Sequence, residues 1–413
     1  MQSLLEFKDA ETFVLKNGAV AVFTRNPNSV FSINLLVRFG SAYERKKYAG
    51  IAHFIEHMFF SGTKKFSRRE ISNRIDSIGG YMNAFTSREY TGYLLKVDSN
   101  HTKLAINTLF DCFSNCQFYG EQLEIERKII ANEIRDSYDN PTRHTLIEFV
   151  KACLDYRFGK PIAGEEKTIM SFKRNDLIKF FRNSHYIANC IISFSGPENV
   201  SKYLKLFEDK IIDRKADPLR LKSCIAKQKE KFVHIEKDIE QMHVCIGFPT
   251  ISSSNEDYVL LTVLESILGG GLSSRIIYKI REKAGLSYIA HAFVEAEPQH
   301  GFFCVYAATK PEKVRKLVSI VRNELKVISQ GKITERELKK AKRHIIGSQL
   351  ISWEDSLEVA RDNAFAFVSG WSWKEYFERL KNLKLNELKN FAREQIDANS
   401  LCTVFLGPKN SSK

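Results

Sequence analysis

Apolar residues in the first half of the chain alternate with period two in some stretches and recur every three to four residues in others, which predicts strands and helices in succession. Residues 12–26 read as two strands turning at Asn17-Gly18, because Asn-Gly favours the tight hairpin turn. Residues 32–40 (SINLLVRFG) read as a buried strand. A helical pattern runs from Ser67 to Ile78 and stops at Gly79-Gly80. Residues 81–97 then read as two strands around Ser87-Arg88-Glu89, a long helix is predicted from about Gln122 to Tyr138, and CIISFSG from Cys190 reads as a closing strand.

The outline then repeats. Residues 242–248 parallel 33–40, and a helix from about Tyr258 to Leu268 parallels the one predicted after Gly50. Ile71, Ile75 and Gly80 match Ile276, Ile280 and Gly285 at one constant offset, so the chain reads as a duplicated domain of about 200 residues. Residues 209–231 are dense in charge and poor in large apolar side chains, as a linker would be. The expected organisation is a domain over 1–208, a linker over 209–231 and a second domain over 232–413. The expected fold class is α+β: two homologous domains, each a mixed, largely antiparallel sheet with helices packed on one face.

The sharpest chemistry lies in the helix predicted after Gly50. His53 and His57 are four apart, about 40° from one another on a helix, so both imidazoles can bind one Zn²⁺. Glu56 sits roughly 80° from their mean direction, at the flank of the metal, where a base is wanted rather than a ligand. The order is an inverted zinc motif, HxxEH. At the repeat offset these positions become Tyr258, Leu261 and Thr262, so only the first copy carries metal chemistry. A catalytic zinc takes a third protein ligand, and the long helix offers Glu126 and Glu133, seven apart and about 20° from sharing one face. Either carboxylate would complete a His₂Glu set.

Composition narrows the alternatives. The 413 residues are 43% hydrophobic and 27% charged, as in ordinary globular proteins of two or more domains. The net charge of +14 raises nucleic-acid binding. The densest basic stretch, Lys310 to Arg343, however, carries Val314, Leu317, Val318, Val321 and Leu325 at helical spacing, which predicts the solvated face of an amphipathic helix and no nucleic-acid partner. No apolar run is long enough to span a bilayer, and no membrane association is expected. The amino terminus lacks a basic region followed by an apolar core, which predicts a cytoplasmic protein, or a mitochondrial-matrix protein in a eukaryote. Eight scattered cysteines, mostly in apolar segments, read as core thiols of a reducing compartment.

The motif His53-Phe-Ile-Glu56-His57, followed by Glu133, resembles the pitrilysin/insulinase family of zinc peptidases, in particular bacterial members similar to the catalytic subunit of the mitochondrial processing peptidase. The resemblance extends to GGYMNAFTSREYTGY from Gly79, ERKIIANEI from Glu126, PIAGEEKTI from Pro161 and FFRNSHYIANCIISFSG from Phe180. It implies one Zn²⁺ per chain on His53, His57 and Glu133, with Glu56 as general base and Glu126 behind the ligands. It also implies that a peptide substrate, short or unfolded, lies as an added strand at Asn83 and Ala84. In the second copy, Arg281 and Tyr288 resemble the pair that binds substrate and stabilises the tetrahedral intermediate. Both features stand in one chain, which implies a homodimer rather than a complex of unlike subunits. The glycine stretch Gly269–Leu272 is shorter than the loop of the processing complex, which argues against presequence-style handling. The alternative within the same fold is a non-catalytic structural core subunit, although such proteins usually lose part of the motif.

Overall fold

The computed structural model describes residues 10–16, 18–197, 204, 217–223 and 227–409. Contacts divide the chain into two units. The first comprises Met1–Ile134, Lys160–Leu221 and Ile351–Lys374; the second comprises Arg135–Gly159, Lys222–Leu350 and Glu375–Lys413.

The first unit is built on six strands: β1 (Glu11–Val14), β2 (Val20–Arg25), β3 (Val30–Val37), β4 (Tyr81–Thr86), β5 (Thr91–Asp98) and β6 (Cys190–Gly196). Their order is β1-β2-β6-β3-β5-β4, antiparallel throughout except where β2 meets β6. Gly18 takes φ 82° in the predicted first turn; Asn17 lies outside the described residues. β4 forms one edge of the sheet.

The two faces of this sheet differ. One carries Phe31, Ile33, Leu35, Tyr93, Leu95 and Phe194, all buried, and the Ile51–Phe59 and Thr102–Asn115 helices pack against this side at β4 and β5. The other carries small and hydroxyl-bearing residues, Ser32, Asn34, Ser193 and Ser195, among Val22, Leu36 and Ile191. A helix can approach such a surface closely, and Ser356–Ser369 does. Ser32 and Ser356 share a hydroxyl hydrogen bond of 2.7 Å, Asn363 donates to Thr24 at 2.6 Å, and Ala364 packs on Val22, Leu36, Tyr90 and Ile191.

The second unit repeats the plan with β7 (Lys231–Glu236), β8 (Met242–Pro249), β9 (Ala290–Glu297), β10 (His300–Thr309) and β11 (Cys402–Gly407), ordered β7-β11-β8-β10-β9. The Pro141–Cys153 helix packs on β11 and β8, and its Phe149 ring lies 5.8 Å from Phe302. Gly247 makes that approach possible, because a Cβ there would stand 1.9 Å from the Phe303 carbonyl oxygen and 2.9 Å from the Phe149 ring.

The predicted α+β fold of two related mixed sheets with helices is what forms, but helices cover both faces of the first sheet rather than the one face expected, because its second face is small and polar enough to admit Ser356–Ser369. Each sheet in addition takes one helix from the other half of the sequence. The boundaries expected at 208 and 232 are therefore not those of packing: residues 135–159 belong to the second unit and 351–374 to the first. Much of the expected linker, 209–216 and 224–226, lies outside the described residues. The basic stretch forms an amphipathic helix, Val314–Ser329, that buries Val314, Leu317, Val321, Leu325 and Ile328.

In the second unit Arg275 grips both oxygens of Glu337, at 2.5 and 2.8 Å, and Glu337 also accepts from the Thr334 main-chain N–H and hydroxyl. Burial opposes the charge, but these donors outweigh it and hold the carboxyl down at about 2. A carboxyl lowered on folding stabilises above its unfolded value of about 4.5, and that stabilisation is lost as pH falls toward 2. Glu337→Gln is expected to cost about 1–2 kcal/mol at pH 7 and progressively less below pH 4.5. Urea melts of both proteins at several pH values check this; a gap that stays constant down to pH 2.5 rules it out.

Candidate active site

Helix Ile51–Phe59 buries Ile51, Ala52, Phe54, Ile55, Met58 and Phe59 and leaves its half-buried face to His53, Glu56 and His57. Its entry is unusual, since Gly50 sits in the N-cap position at φ 95° and offers no side-chain cap. Glu44 supplies one from six residues upstream: its two carboxylate oxygens accept from the N–H groups of Gly50 at 3.0 Å and Ala52 at 2.8 Å. Burial pushes this carboxyl up to about 8, while its N–H donors and Lys160 pull the other way. Lys160, also buried, donates to the Glu44 main-chain oxygen at 2.8 Å.

Gly50 is required on two counts. Its φ is left-handed, and a Cβ would stand 2.5 Å from the Ala163 carbonyl oxygen. Gly50→Ala is expected to destabilise by about 3 kcal/mol or more and to weaken metal binding by tilting the helix. Denaturation and zinc titration check this; a loss under about 0.5 kcal/mol would remove the constraint from the account.

The Gly120–Asp139 helix brings its glutamates to the histidines. Glu133 Oε2 lies 3.8 Å from His53 Nε2 and 3.5 Å from His57 Nε2, and one ligand atom from each of the three residues falls within 4.8 Å of the others. Glu126, almost fully buried, does not join this group. It stands behind His57 and accepts from Nδ1 at 2.9 Å, while Arg68 donates to its other oxygen. A carboxylate only accepts, so His57 carries a proton on Nδ1, which leaves Nε2, the nitrogen facing Glu133, as the one that would hold a metal. Of the two glutamates that spacing left open, it is Glu133 that groups with the two histidines, and Glu126 hydrogen-bonds to His57 from behind.

Electrostatics favours a cation here. Burial, then the neighbouring His57, lowers His53 to about 4, which keeps its imidazole neutral and able to ligate. Burial also works against charge on His57, but hydrogen bonds to Glu126 and Glu133 outweigh it and raise the ring to about 9. Two imidazole nitrogens and a carboxylate suit zinc, and the acidic surroundings would balance its charge. Glu56 stands apart from the ligand atoms, accepting from the Thr86 hydroxyl at 2.6 Å; burial pushes its carboxyl above the usual range.

Thr86 ends β4, the edge strand on which Asn83 and Ala84 lie. The Ala84 N–H donates to the Asn83 side-chain oxygen at 2.8 Å, and no described strand pairs with the outer side of β4. Arg281 and Tyr288 belong to the second unit. The Arg281 guanidinium lies 4.9 Å from the centre of the Tyr288 ring, and both line a cavity of about 680 Å³ with Leu272, Ile277 and Phe293. Tyr288 is 82% exposed.

Three participants escape a reading of spacing: Glu44, Arg68 and Thr86. The one available signal was for Glu44, an acid just upstream of a helix whose own start, Ala49-Gly50, lacks a capping side chain.

These features define a two-unit protein of zinc-protease type. Residues 20–163 match the family model for insulinase (peptidase family M16), and residues 171–345 match that for the peptidase M16 inactive domain. The chain is 32% identical to an uncharacterized zinc protease of Rickettsia bellii, covering 96% of this chain and 97% of that one. It is 32% identical to an uncharacterized zinc protease of Bacillus subtilis, covering 92% and 94%. A crystal structure of a protease from Helicobacter pylori superposes with a TM-score of 0.89 at 25% identity, over 97% of this chain and all of that one. A peptidase M16 inactive domain from Pseudomonas fluorescens has the same fold, with a TM-score of 0.89 at 18% identity over 98% of this chain. The chain belongs to the M16, or insulinase, family of peptidases. Among the described residues no helix is long and apolar enough to cross a membrane.

Proposed function

We propose that the protein is a zinc-dependent endopeptidase acting on short or unfolded peptides, with one zinc per chain held by His53, His57 and Glu133. The observation that carries this reading is the convergence of those ligand atoms beside Glu56, a carboxylate that is near the cluster and not part of it. Zinc, when bound, supplies Lewis acidity toward a water and the scissile carbonyl. Glu56 takes the proton of the attacking water and returns it to the leaving amine, with Thr86 fixing which oxygen is free to do so. Glu126 holds the His57 tautomer. The substrate lies antiparallel along the free edge of β4, where its main chain displaces the Asn83 oxygen from the Ala84 N–H; such pairing accepts many side chains.

Arg281 and Tyr288 serve in this scheme as donors to the developing oxyanion. They lie in a different unit from the metal ligands. We place them, as part of the same proposal, in a homodimer whose chains need no unlike partner. Mixing inactive Arg281→Ala with inactive Glu56→Gln under conditions of subunit exchange is expected to restore activity if sites form between chains; no recovery despite exchange assigns each site to one chain.

The primary test is zinc content together with cleavage of a quenched library of unstructured peptides. About one zinc per chain and chelator-sensitive cleavage are expected. A protein that binds zinc and cleaves nothing would be a structural relative of the peptidases instead.

A further inference from the structure

Strand β7 is an edge of the second sheet and pairs with β11 alone among the described strands. The Lys231 N–H donates to the Leu401 oxygen and the Lys237 N–H to the Gly407 oxygen, so the odd-numbered residues turn their main chain toward β11. Phe232, His234 and Glu236 therefore turn theirs outward, where no described strand meets them. The side chains of Phe232 and His234 share a face with Phe405, the register partner of His234, whose ring lies 6.5 Å from the imidazole. Phe232 is 58% exposed, a large apolar side chain left open beside an open strand edge.

The Val314–Ser329 helix stands over the same face, and a groove of about 520 Å³ separates it from Phe405. Arg315, Arg322 and Lys326 line the groove from one side of the helix, within roughly 40° of one another around its axis and spread over about 16 Å of its length. Val314, Val318 and Phe405 supply the apolar lining, and no carboxylate lines the groove among the described residues. Arg322 joins the groove to the strand edge. Its guanidinium lies 5.2 Å from the centre of the Phe232 ring, and one of its terminal nitrogens lies 3.1 Å from Glu230 just before β7.

A free strand edge is answered by a polypeptide main chain, and a cationic groove beside it by acidic side chains. We propose that β7 and this groove form a docking site for an extended acidic segment of another protein, which adds to the edge of β7 and directs carboxylates toward Arg315, Arg322 and Lys326. A nucleic acid would meet the cations and leave the outward N–H and C=O groups of Phe232 and His234 unanswered. An anionic membrane would be met by an apolar face lying in its plane, whereas these cations line a groove. Every residue of the site belongs to the second unit, and the docking role stands whether or not the first unit cleaves peptides.

The test is fluorescence anisotropy of a labelled decapeptide that alternates glutamate with valine, against the full chain carrying Glu56→Gln so that the probe survives. In that background the charge reversal Arg315→Glu/Lys326→Glu is compared with His234→Pro. Both reversed side chains are exposed, and proline at residue 234 removes an outward N–H while sparing the bonds to β11. The acidic peptide is expected to bind and its lysine counterpart not to. The charge reversal is expected to weaken binding at least roughly five-fold, the size that two partly exposed ion pairs support, and raised salt to weaken it likewise. His234→Pro is expected to weaken it roughly five-fold, as the loss of one main-chain hydrogen bond would. A peptide seated at β4 instead would ignore both substitutions. Binding that is absent at low salt, or unchanged by the charge reversal, overturns the proposal, and so does binding unchanged in a folded His234→Pro protein. If that variant folds poorly, the charge reversal and the lysine peptide carry the test. A single-stranded oligonucleotide or phosphatidylserine vesicles that bind more tightly than the peptide, and are lost on the same charge reversal, would give the cations to that partner and overturn the assignment too.

Discussion

Glu56→Gln is expected to retain about one zinc per chain and to lose at least about a hundred-fold in kcat/KM toward an unstructured peptide. Glutamine has the same shape, and its carbonyl oxygen can still accept from the Thr86 hydroxyl, so the motif helix should stand unchanged. In the proposed site the ligand atoms are those of His53, His57 and Glu133, so the substitution gives zinc no reason to leave. What disappears is a proton acceptor beside the cluster that, unlike Glu126, is not already held by His57 and Arg68. Metal analysis and steady-state kinetics on the same preparations decide the matter. Equal activity sinks the base assignment, and loss of zinc would make Glu56 part of the metal's own support.

Glu44→Ala is expected to cost about 3–5 kcal/mol of stability and to weaken zinc binding markedly, although residue 44 is no ligand. Two buried N–H groups at the first turn of the motif helix would lose their acceptor, and buried Lys160 would lose the electrostatic partner it has in the Glu44 carboxyl. Each loss alone is of the order of 1–3 kcal/mol or more. Glu44→Gln should fall between, because its amide keeps one accepting oxygen and turns an NH₂ toward the other N–H. Chemical denaturation and competition against a zinc chelator measure both. Wild-type stability in Glu44→Ala would show that solvent can cap this helix start, and the account of its entry would fail.

Much of this was legible in the chain, and the reasons are local. Period-two alternation in β3 and β5, Asn17-Gly18, and the glycines that stop the Ser67 helix each specify their element without help from distant residues. Ser67 and Glu70 indeed form the reciprocal cap that starts that helix. The metal cluster was legible for a similar reason, since helical spacing alone makes His53 and His57 neighbours. The choice between Glu126 and Glu133 was not, because both share a face of one helix and only the position of Arg68 and the His57 ring separates their roles. Nor was the exchange of helices. The face covered by Ser356–Ser369 presents Ser32, Asn34, Ser193 and Ser195, which give no apolar stripe for a particular helix to match.

That exchange bears on how the protein is made. A ribosome delivers the chain from its amino end, and domains commonly fold as they emerge. Here the first sheet, complete once β6 has been synthesised, still lacks the layer supplied by Ser356–Ser369. Its serine-lined face stays wet until nearly the whole protein exists. The metal-binding half should therefore reach protease resistance only late in translation, and a nascent chain stalled after residue 208 should remain digestible until residues 351–374 are supplied as a separate peptide.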